Sequence, residues 1–244
     1  MQTIHNLRNE NAAADDPSSE RTLIQRCANP GVIPVEEIEY HLFVPQRAHD
    51  PLLESAYNVW RDGWRATLEE LDGTTRLHSD EFARQDEVGV LSIGTRCLSV
   101  TGLRWLDLSL ARSREDSYFQ HWPSEAVAAL GTAFVGITSN TIVHPESRRT
   151  LVAAPRGTSG DGTRLAFATI ALSVRRFVAS PAESIIALTR NDRAMDRAAT
   201  ALGATKLSQI YLHGVETDVI VVPRANARPH GPVVDDLWAR RHQG

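Results

Sequence analysis

The chain is poor in lysine, in cysteine and in long apolar runs. Lys206 is its only lysine, so basic charge is carried by arginine, and the net charge is −4 at pH 7. That balance gives no broad electrostatic reason to bind nucleic acid or an anionic membrane. Arginine in place of lysine reads as genome composition, or as guanidinium groups able to grip phosphate or carboxylate with two hydrogen bonds at once. The two cysteines, Cys27 and Cys97, are too few for a disulfide framework or a cysteine-based metal site. No segment has the charged start and apolar core of a signal peptide, and none is apolar for long enough to span a bilayer, so the expected location is the cytoplasm. Gly-x-Ser-x-Gly and His-Glu-x-x-His are absent, as is a carboxylate–histidine spacing typical of zinc. Neither a serine-hydrolase elbow nor a metal centre is therefore expected.

What remains is an ordinary globular composition, 244 residues with 42% apolar and 23% charged content, enough for one large domain or two small ones. Residues 1–35 are polar and are expected to form a flexible tail. Residues 38–44 alternate as a first strand, which Pro45 stops. Leu53, Tyr57, Trp60, Trp64, Leu68 and Leu71 recur at spacings of three and four, which predicts a helix over 51–71, closed by Asp72-Gly73. Residues 88–92 and 97–106 read as an antiparallel pair, with Cys97 a small core residue. Residues 115–131 are less regular, with Tyr118, Phe119 and Trp122 as anchors for a loop and short helix. Then come a strand at 133–143, a helix at 163–178 and a strand at 184–189 of the type buried on both faces. A helix at 193–202, between Asp192 and Gly203, precedes a last strand at 218–222. Residues 225–244 are expected to be a polar tail, leaving 36–224 as a single α/β (α+β) domain.

The chemistry concentrates after residue 133. A β-branched strand ends at Val143-His144-Pro145-Glu146-Ser147-Arg148-Arg149, and Gly160-Asp161-Gly162-Thr163 then opens a helix. Strand, glycine turn and helix N-terminus in that order are how a backbone makes a phosphate site. This stretch resembles the acyl-CoA-binding core of the GNAT acyltransferase superfamily. The resemblance implies a GNAT-like mixed central sheet flanked by helices. It implies acyl-CoA or acyl-phosphopantetheine as donor substrate, with no tightly bound cofactor. It makes Arg148, Arg149, Gly160, Gly162 and Thr163 candidates to hold the donor's phosphates, and the amides of Ile142 and Val143 candidates for an oxyanion hole. The phosphate loop departs from the family pattern: three residues, not two, separate Arg156 from Gly160, and Asp161 repels an anion. An ordinary surface loop is the alternative.

Residues 60–123 resemble one branch of that superfamily, the acyl-homoserine-lactone (autoinducer) synthases and the long-chain N-acyl amino acid synthases. Asp80-Glu-Phe-Ala-Arg-Gln-Asp86 is like the acidic loop before the second strand, and Gly102-Leu-Arg104-Trp-Leu, Tyr118-Phe119 and Trp122-Pro123 are like the later strand and aromatic loop. By this resemblance Trp60, Trp64 and Phe82 are candidates to line an acyl pocket, against the alternative that they are core. Asp80 aligns with one family acid, but His78 and Ala83 stand where others would fall, and Ile137 and Asn140 stand near the family's Glu and Arg. That argues against lactone synthesis from S-adenosylmethionine and leaves another amine, such as an amino acid, as acceptor.

Transfer of an acyl group to an amine needs a proton acceptor and donors for the oxyanion. Asp80, Glu81, Asp86 and Glu87 cluster at a loop mouth, as amine-binding and proton-accepting groups or as a solvated acidic turn, and His144 is a further candidate base or a surface residue. Arg104 can pair with an acceptor carboxylate or with Asp80, or be a structural ion pair. Ser139 and Asn140 face opposite sides of their strand, so at most one points into a cleft. The late helix has no tyrosine, and Tyr211 is its weak substitute. The expectation is an N-acyltransferase working from acyl carrier protein or CoA thioester. A small acetyltransferase and a non-catalytic thioester-binding module are the alternatives. A carrier-protein donor implies a basic docking patch, with Arg148, Arg149, Arg175 and Arg176 as candidates.

Overall fold

In this computed structural model, residues 31–47, 49–77, 80–158, 162–193 and 195–243 are described, with Asp80 described by its backbone alone. Helix α1 (Pro51–Asp72) lies where the apolar spacing predicts it. The Asp50 carboxylate accepts the Leu52 amide at 2.7 Å, and Pro51 pre-sets the first turn. Gly73 closes the helix by returning its amide to the Glu69 carbonyl. The short helices are α2 (Asp80–Ala83), α3 (Ala111–Arg114) and α4 (Ser124–Ala129); α5 (Leu165–Val178), α6 (Met195–Ala201) and α7 (Pro232–Ala239) follow.

The strands are β1 (Val32–Pro34), β2 (Glu39–Phe43), β3 (Glu87–Ile93), β4 (Arg96–Asp107), β5 (Phe134–Val143), β6 (Leu151–Ala153), β7 (Thr163–Arg164), β8 (Ser184–Arg190), β9 (Thr205–Leu212), β10 (Val215–Pro223) and β11 (His242–Gln243). A mixed 8-stranded sheet runs β11-β2-β3-β4-β5-β8-β10-β9, and β1-β6-β7 make a small second sheet. The central pair, β5 and β8, is parallel, and α5 lies between them in the chain as its crossover.

Each face of the large sheet is covered, as strand alternation demands. On one face, Tyr40, Leu42, Leu91, Leu98 and Ile185 pack with α5 and α7. On the other, Phe43, Val88, Val90 and Val100 pack with α1, while Val135, Ile137, Ile186 and Val219 pack with the aromatic segment after β4. That second face is therefore shared by two covers, α1 over β2–β4 and the segment around Tyr118 over β5, β8 and β10.

Three expectations change. The polar tail expected at 225–244 instead contains α7, whose Val233, Val234 and Leu237 are buried in the core, and β11, which pairs with β2. Short apolar runs between prolines and arginines carry enough buried side chain to dock a helix of this length. The tail expected at 1–35 ends earlier, because Val32–Pro34 pairs with β6 and Val35 is fully buried; residues 1–30 lie outside the described residues. The helix expected from 163 begins at Leu165, because Thr163 and Arg164 pair with Val152 and Leu151.

Candidate functional site

The parallel pairing of β5 and β8 is short. It runs from Val135↔Ser184 through Gly136↔Ile185 to Ile137↔Ile186. Beyond it β5 stays paired to β4 as far as Val143↔Ser99, and β8 stays paired to β10 as far as Arg190↔Thr217. The two inner edges therefore part in the middle of the sheet, and their facing backbone groups are left for something other than each other. An extended, amide-bearing ligand can add to such an edge as a strand would.

A bulge shapes the β5 side of this opening. Val100 pairs with Ile142 but Gly102 pairs with Ser139, so Thr101 opposes two residues, Asn140 and Thr141. Asn140 supplies the turn with φ 57°, a left-handed conformation tolerated best by glycine and asparagine. After the bulge, His144 donates its amide to the Leu98 carbonyl at 2.9 Å. Donors alternate between the two edges of an antiparallel strand. The Ile142 amide therefore faces β4 and the Val143 amide faces the opening, so only one of the two expected oxyanion donors is aimed there.

Buried hydroxyls tie the bulge to α5. Thr101 Oγ1 lies 2.9 Å from Thr141 Oγ1 and accepts from Ser173 at 3.4 Å, while Ser99 and Thr169 pair at 2.7 Å. On the opposite face, Ser139 donates to Gln85 Oε1 at 3.3 Å, and the Gln85 amide nitrogen donates to the Glu81 carbonyl at 2.9 Å. Asn140 Nδ2 lies 3.4 Å from Ser139 Oγ. Ser139 and Asn140 are thus brought together with Gln85, a buried residue that the sequence did not single out.

The acidic loop is largely spoken for by protein partners. Glu87 takes two hydrogen bonds from Arg176, at 2.6 and 2.7 Å; Asp86 accepts the Trp105 amide at 2.7 Å; Glu81 pairs with Arg84 at 3.1 Å on the surface. The Asp80 side chain, like His78, lies outside the described residues. Arg104 is clamped to Asp116, with one hydrogen bond of 3.1 Å and a second, shorter one. Burial works to raise the Asp116 pKa, but the Arg104 hydrogen bonds, the Tyr118 amide and the nearby Arg84 outweigh it and hold it below the ordinary value. The Arg104–Asp116 pair pins the aromatic segment to β4.

Trp60 and Phe82, 1% and 6% exposed, pack with Tyr57 at tilted and edge-on angles in the core under α1; Trp64 is half-buried beside them. The indole nitrogens of Trp60 and Trp64 are buried without a hydrogen-bond partner. Gly63 lets α1 settle onto β5: a Cβ there would lie 2.5 Å from Ile142 Cγ2. The Tyr118 hydroxyl is also buried with no partner that closes a hydrogen bond. Burial pushes its pKa far up, against the opposing pull of the nearby Leu188 amide and Arg104, so it stays a neutral donor. Leu188 belongs to β8 beyond the last pair with β5, which places Tyr118 beside the opening. The sequence marked Tyr118 only as an anchor; nothing in its spacing shows which strand it reaches. Tyr211, the expected substitute acid, is 73% exposed on the edge strand β9 and donates to Glu216 at 2.8 Å.

At the far end of β5, His144 Nδ1 accepts the Glu146 amide at 3.4 Å. Burial first, then Arg96 and Arg148, lower its pKa from 6.5, with Glu146 opposing. Arg148 and Arg149 are exposed, and among the described residues neither has a carboxylate at ion-pair distance. Helix α5 begins nearby, its Leu165 amide donated to the Thr150 carbonyl, with no side-chain cap and no acid in its first turn. Gly162 is required by close approach, since a Cβ would lie 2.6 Å from the Val152 carbonyl oxygen. Thr163 is its neighbour in β7; Gly160 and Asp161 lie outside the described residues.

No known family profile and no curated protein matches the chain. Solved structures do. "The structure of a COA-dependent acyl-homoserine lactone synthase, BjaI, with SAM and isopentyl-CoA" aligns at a TM-score of 0.53 and 14% identity, over 85% of this chain and 93% of that one. The N-acyl amino acid synthase FeeM from uncultured soil microbes aligns at 0.49 and 11%, over 73% and 94%. The likeness to the lactone synthase extends over nearly its whole length: the chain has a GNAT-like fold, a large mixed sheet flanked by helices in a single domain.

Proposed function

We propose that this protein is an N-acyltransferase that moves an acyl group from an acyl-CoA thioester to a small amine, with a fatty acyl group and an amino acid as the favoured pair. The observation that carries this reading is the opening between β5 and β8, with the Val143 amide on its inner edge and the uncapped start of α5 nearby. The amides of a pantetheine arm suit the exposed strand edge. Its phosphates suit the helix start and the unpaired Arg148 and Arg149. With the arm so placed, the thioester oxygen lies toward the Val143 amide.

The amine lone pair attacks the thioester carbon, and negative charge moves to the carbonyl oxygen, where Val143 N–H holds it. The tetrahedral intermediate collapses with cleavage of the C–S bond, CoA leaves as the thiolate, and the nitrogen loses a proton. His144, kept neutral by its surroundings, is assigned as acceptor of that proton at Nδ1, directly or through water, where the proton displaces the long 3.4 Å hydrogen bond from the Glu146 amide. Tyr118, neutral and without a partner, is assigned as a hydrogen-bond donor on the β8 side. Arg104, already held by Asp116, is a positioning residue rather than a carboxylate receptor.

CoA is the favoured donor over acyl carrier protein. Of the arginines proposed for docking, Arg176 is engaged by Glu87 and stacked on Trp105, and the pair at 175–176 ends α5 whereas Arg149 lies at its start. At 1.5 Å per residue the two groups sit about 16 Å apart along the helix and do not form one patch. The closed packing of Trp60 and Phe82 favours a second reading, transfer of a short acyl group such as acetyl. Thermal-shift titration with acetyl-CoA, a long-chain acyl-CoA and an acylated carrier protein separates these. A rise with long-chain acyl-CoA supports the main reading, a rise with acetyl-CoA alone supports the second, and no rise with any donor contradicts both.

A further inference from the structure

We propose that Glu39, His41 and His242 form a binding site for a zinc-class divalent metal that fastens the last strand of the chain to the edge of the sheet. Their potential ligand atoms, one from each residue, lie within 4.8 Å of one another. The backbone accounts for this convergence. Glu39 and His41 are two apart on β2 and so share a face. His242 on β11 is in register with His41 in a parallel pair, which places it beside His41.

The side chains are already drawn together. His41 Nε2 lies 3.2 Å from Glu39 Oε2. The His41 ring stacks on His242, with centroids 4.7 Å apart and planes at 19°, and on its other side it lies parallel to Phe43 at 5.7 Å. His41 is mostly buried, with 16% of its side chain exposed, so its orientation is fixed by packing rather than by solvent. Two imidazoles and one carboxylate are the donor set that zinc accepts with a fourth position left to water, and they do not suit magnesium or calcium, which prefer oxygen throughout. The two arginines that precede His242 in the chain are otherwise engaged: Arg240 pairs with Asp236 at 2.6 Å, and Arg241 stacks on Trp238 at 4.3 Å.

The site also has a structural task. β11 is held to β2 by two residue pairs only, His242↔His41 and Gln243↔Leu42. A metal bound across that pair would cross-link the end of the chain, and with it α7, to the sheet. It is a site apart from the opening described above: β2 lies three strand spacings, about 14 Å, from β5. The inference therefore stands or falls independently of the proposed reaction.

The test is calorimetric titration of zinc into full-length, untagged, chelator-treated protein, with cobalt(II) spectra and melting temperature as second readouts. The expected result is one equivalent bound per chain, a raised melting temperature, and the intense visible bands of low-coordinate cobalt. H242A, at an exposed position, and H41A should each weaken zinc by more than about a hundredfold, beyond the loss typical of outer-shell changes. H230A, in an exposed loop, should bind as the wild type does. Absence of uptake by the wild type, or uptake unchanged in both H41A and H242A, overturns the proposal.

Discussion

Arg104 shows how a residue can be marked by its sequence while its partner stays open. Its place in a Gly-x-Arg strand allows a substrate carboxylate, Asp80 or a structural ion pair; its guanidinium is held by Asp116, the last of these. No spacing rule joins a strand residue to an acid in an irregular loop. Arg104→Met should lower stability by about 2–3 kcal/mol, because two charge-assisted hydrogen bonds are lost and a largely buried carboxylate is left without them. The linkage has a definite sign. The Asp116 pKa is depressed in the folded state, so its contribution is complete above 3.8 and is lost as pH falls below that value. Denaturant melts at neutral pH and near pH 3 should therefore show the wild-type advantage shrinking in acid; an advantage of equal size at both would contradict the pairing. His144 has the same sign in a higher pH window. Its lowered pKa means that the unfolded chain binds protons more readily below 6.5, so stability drains away as pH falls through that region. His144→Gln should flatten this limb and, if His144 accepts the proton, also remove the acid limb of the rate profile. A rate profile unchanged by the substitution would remove His144 from the chemistry.

The elements were legible in the sequence wherever a periodicity ran long. Helix α1, the β3–β4 hairpin, β5, α5 and β8 all lie within a few residues of where apolar spacing puts them. β9 escaped because an edge strand with exposed Thr205, Lys206 and Gln209 offers no clean alternation. α7 escaped because its buried face is only Val233, Val234 and Leu237, set among prolines and arginines. The parting of β5 from β8 is set by non-local register, and the bulge that redirects the Val143 amide is visible only through that pairing. Asn140 is the hinge of this element. Asn140→Gly should leave the melting temperature nearly unchanged, whereas Asn140→Val should lose about 2 kcal/mol, since a β-branched residue resists φ 57°. Equal melting temperatures for the two variants would mean that the bulge is not held in that conformation in solution.

At the scale of the whole molecule, the α/β order and the GNAT-like sheet were legible, because helix and strand periodicities alternate along the chain in the order the fold requires. Sites assembled from distant segments were not. Ser139 and Asn140 are candidates in the sequence, but Gln85, which accepts a hydrogen bond from Ser139, is not; His41 and Glu39 carry no zinc spacing until β11 brings His242 alongside. Among the described residues no helix is long and apolar enough to cross a membrane. Cys97, buried and with its thiol pushed up to about 12, is unreactive in the native state, so released CoA can be read with a thiol reagent against a protein-only blank that accounts for Cys27. The central claim is acyl transfer, and its most direct test is thiol release from acyl-CoA donors of graded chain length in the presence of a panel of amino acids and other amines, with the acylated product weighed by mass spectrometry. The account predicts amine-dependent CoA release with one acyl-amine formed per thiol, reduced in Tyr118→Phe and His144→Gln. Binding of acyl-CoA with no amine-dependent release anywhere on the panel would contradict it and leave a thioester-binding module in its place.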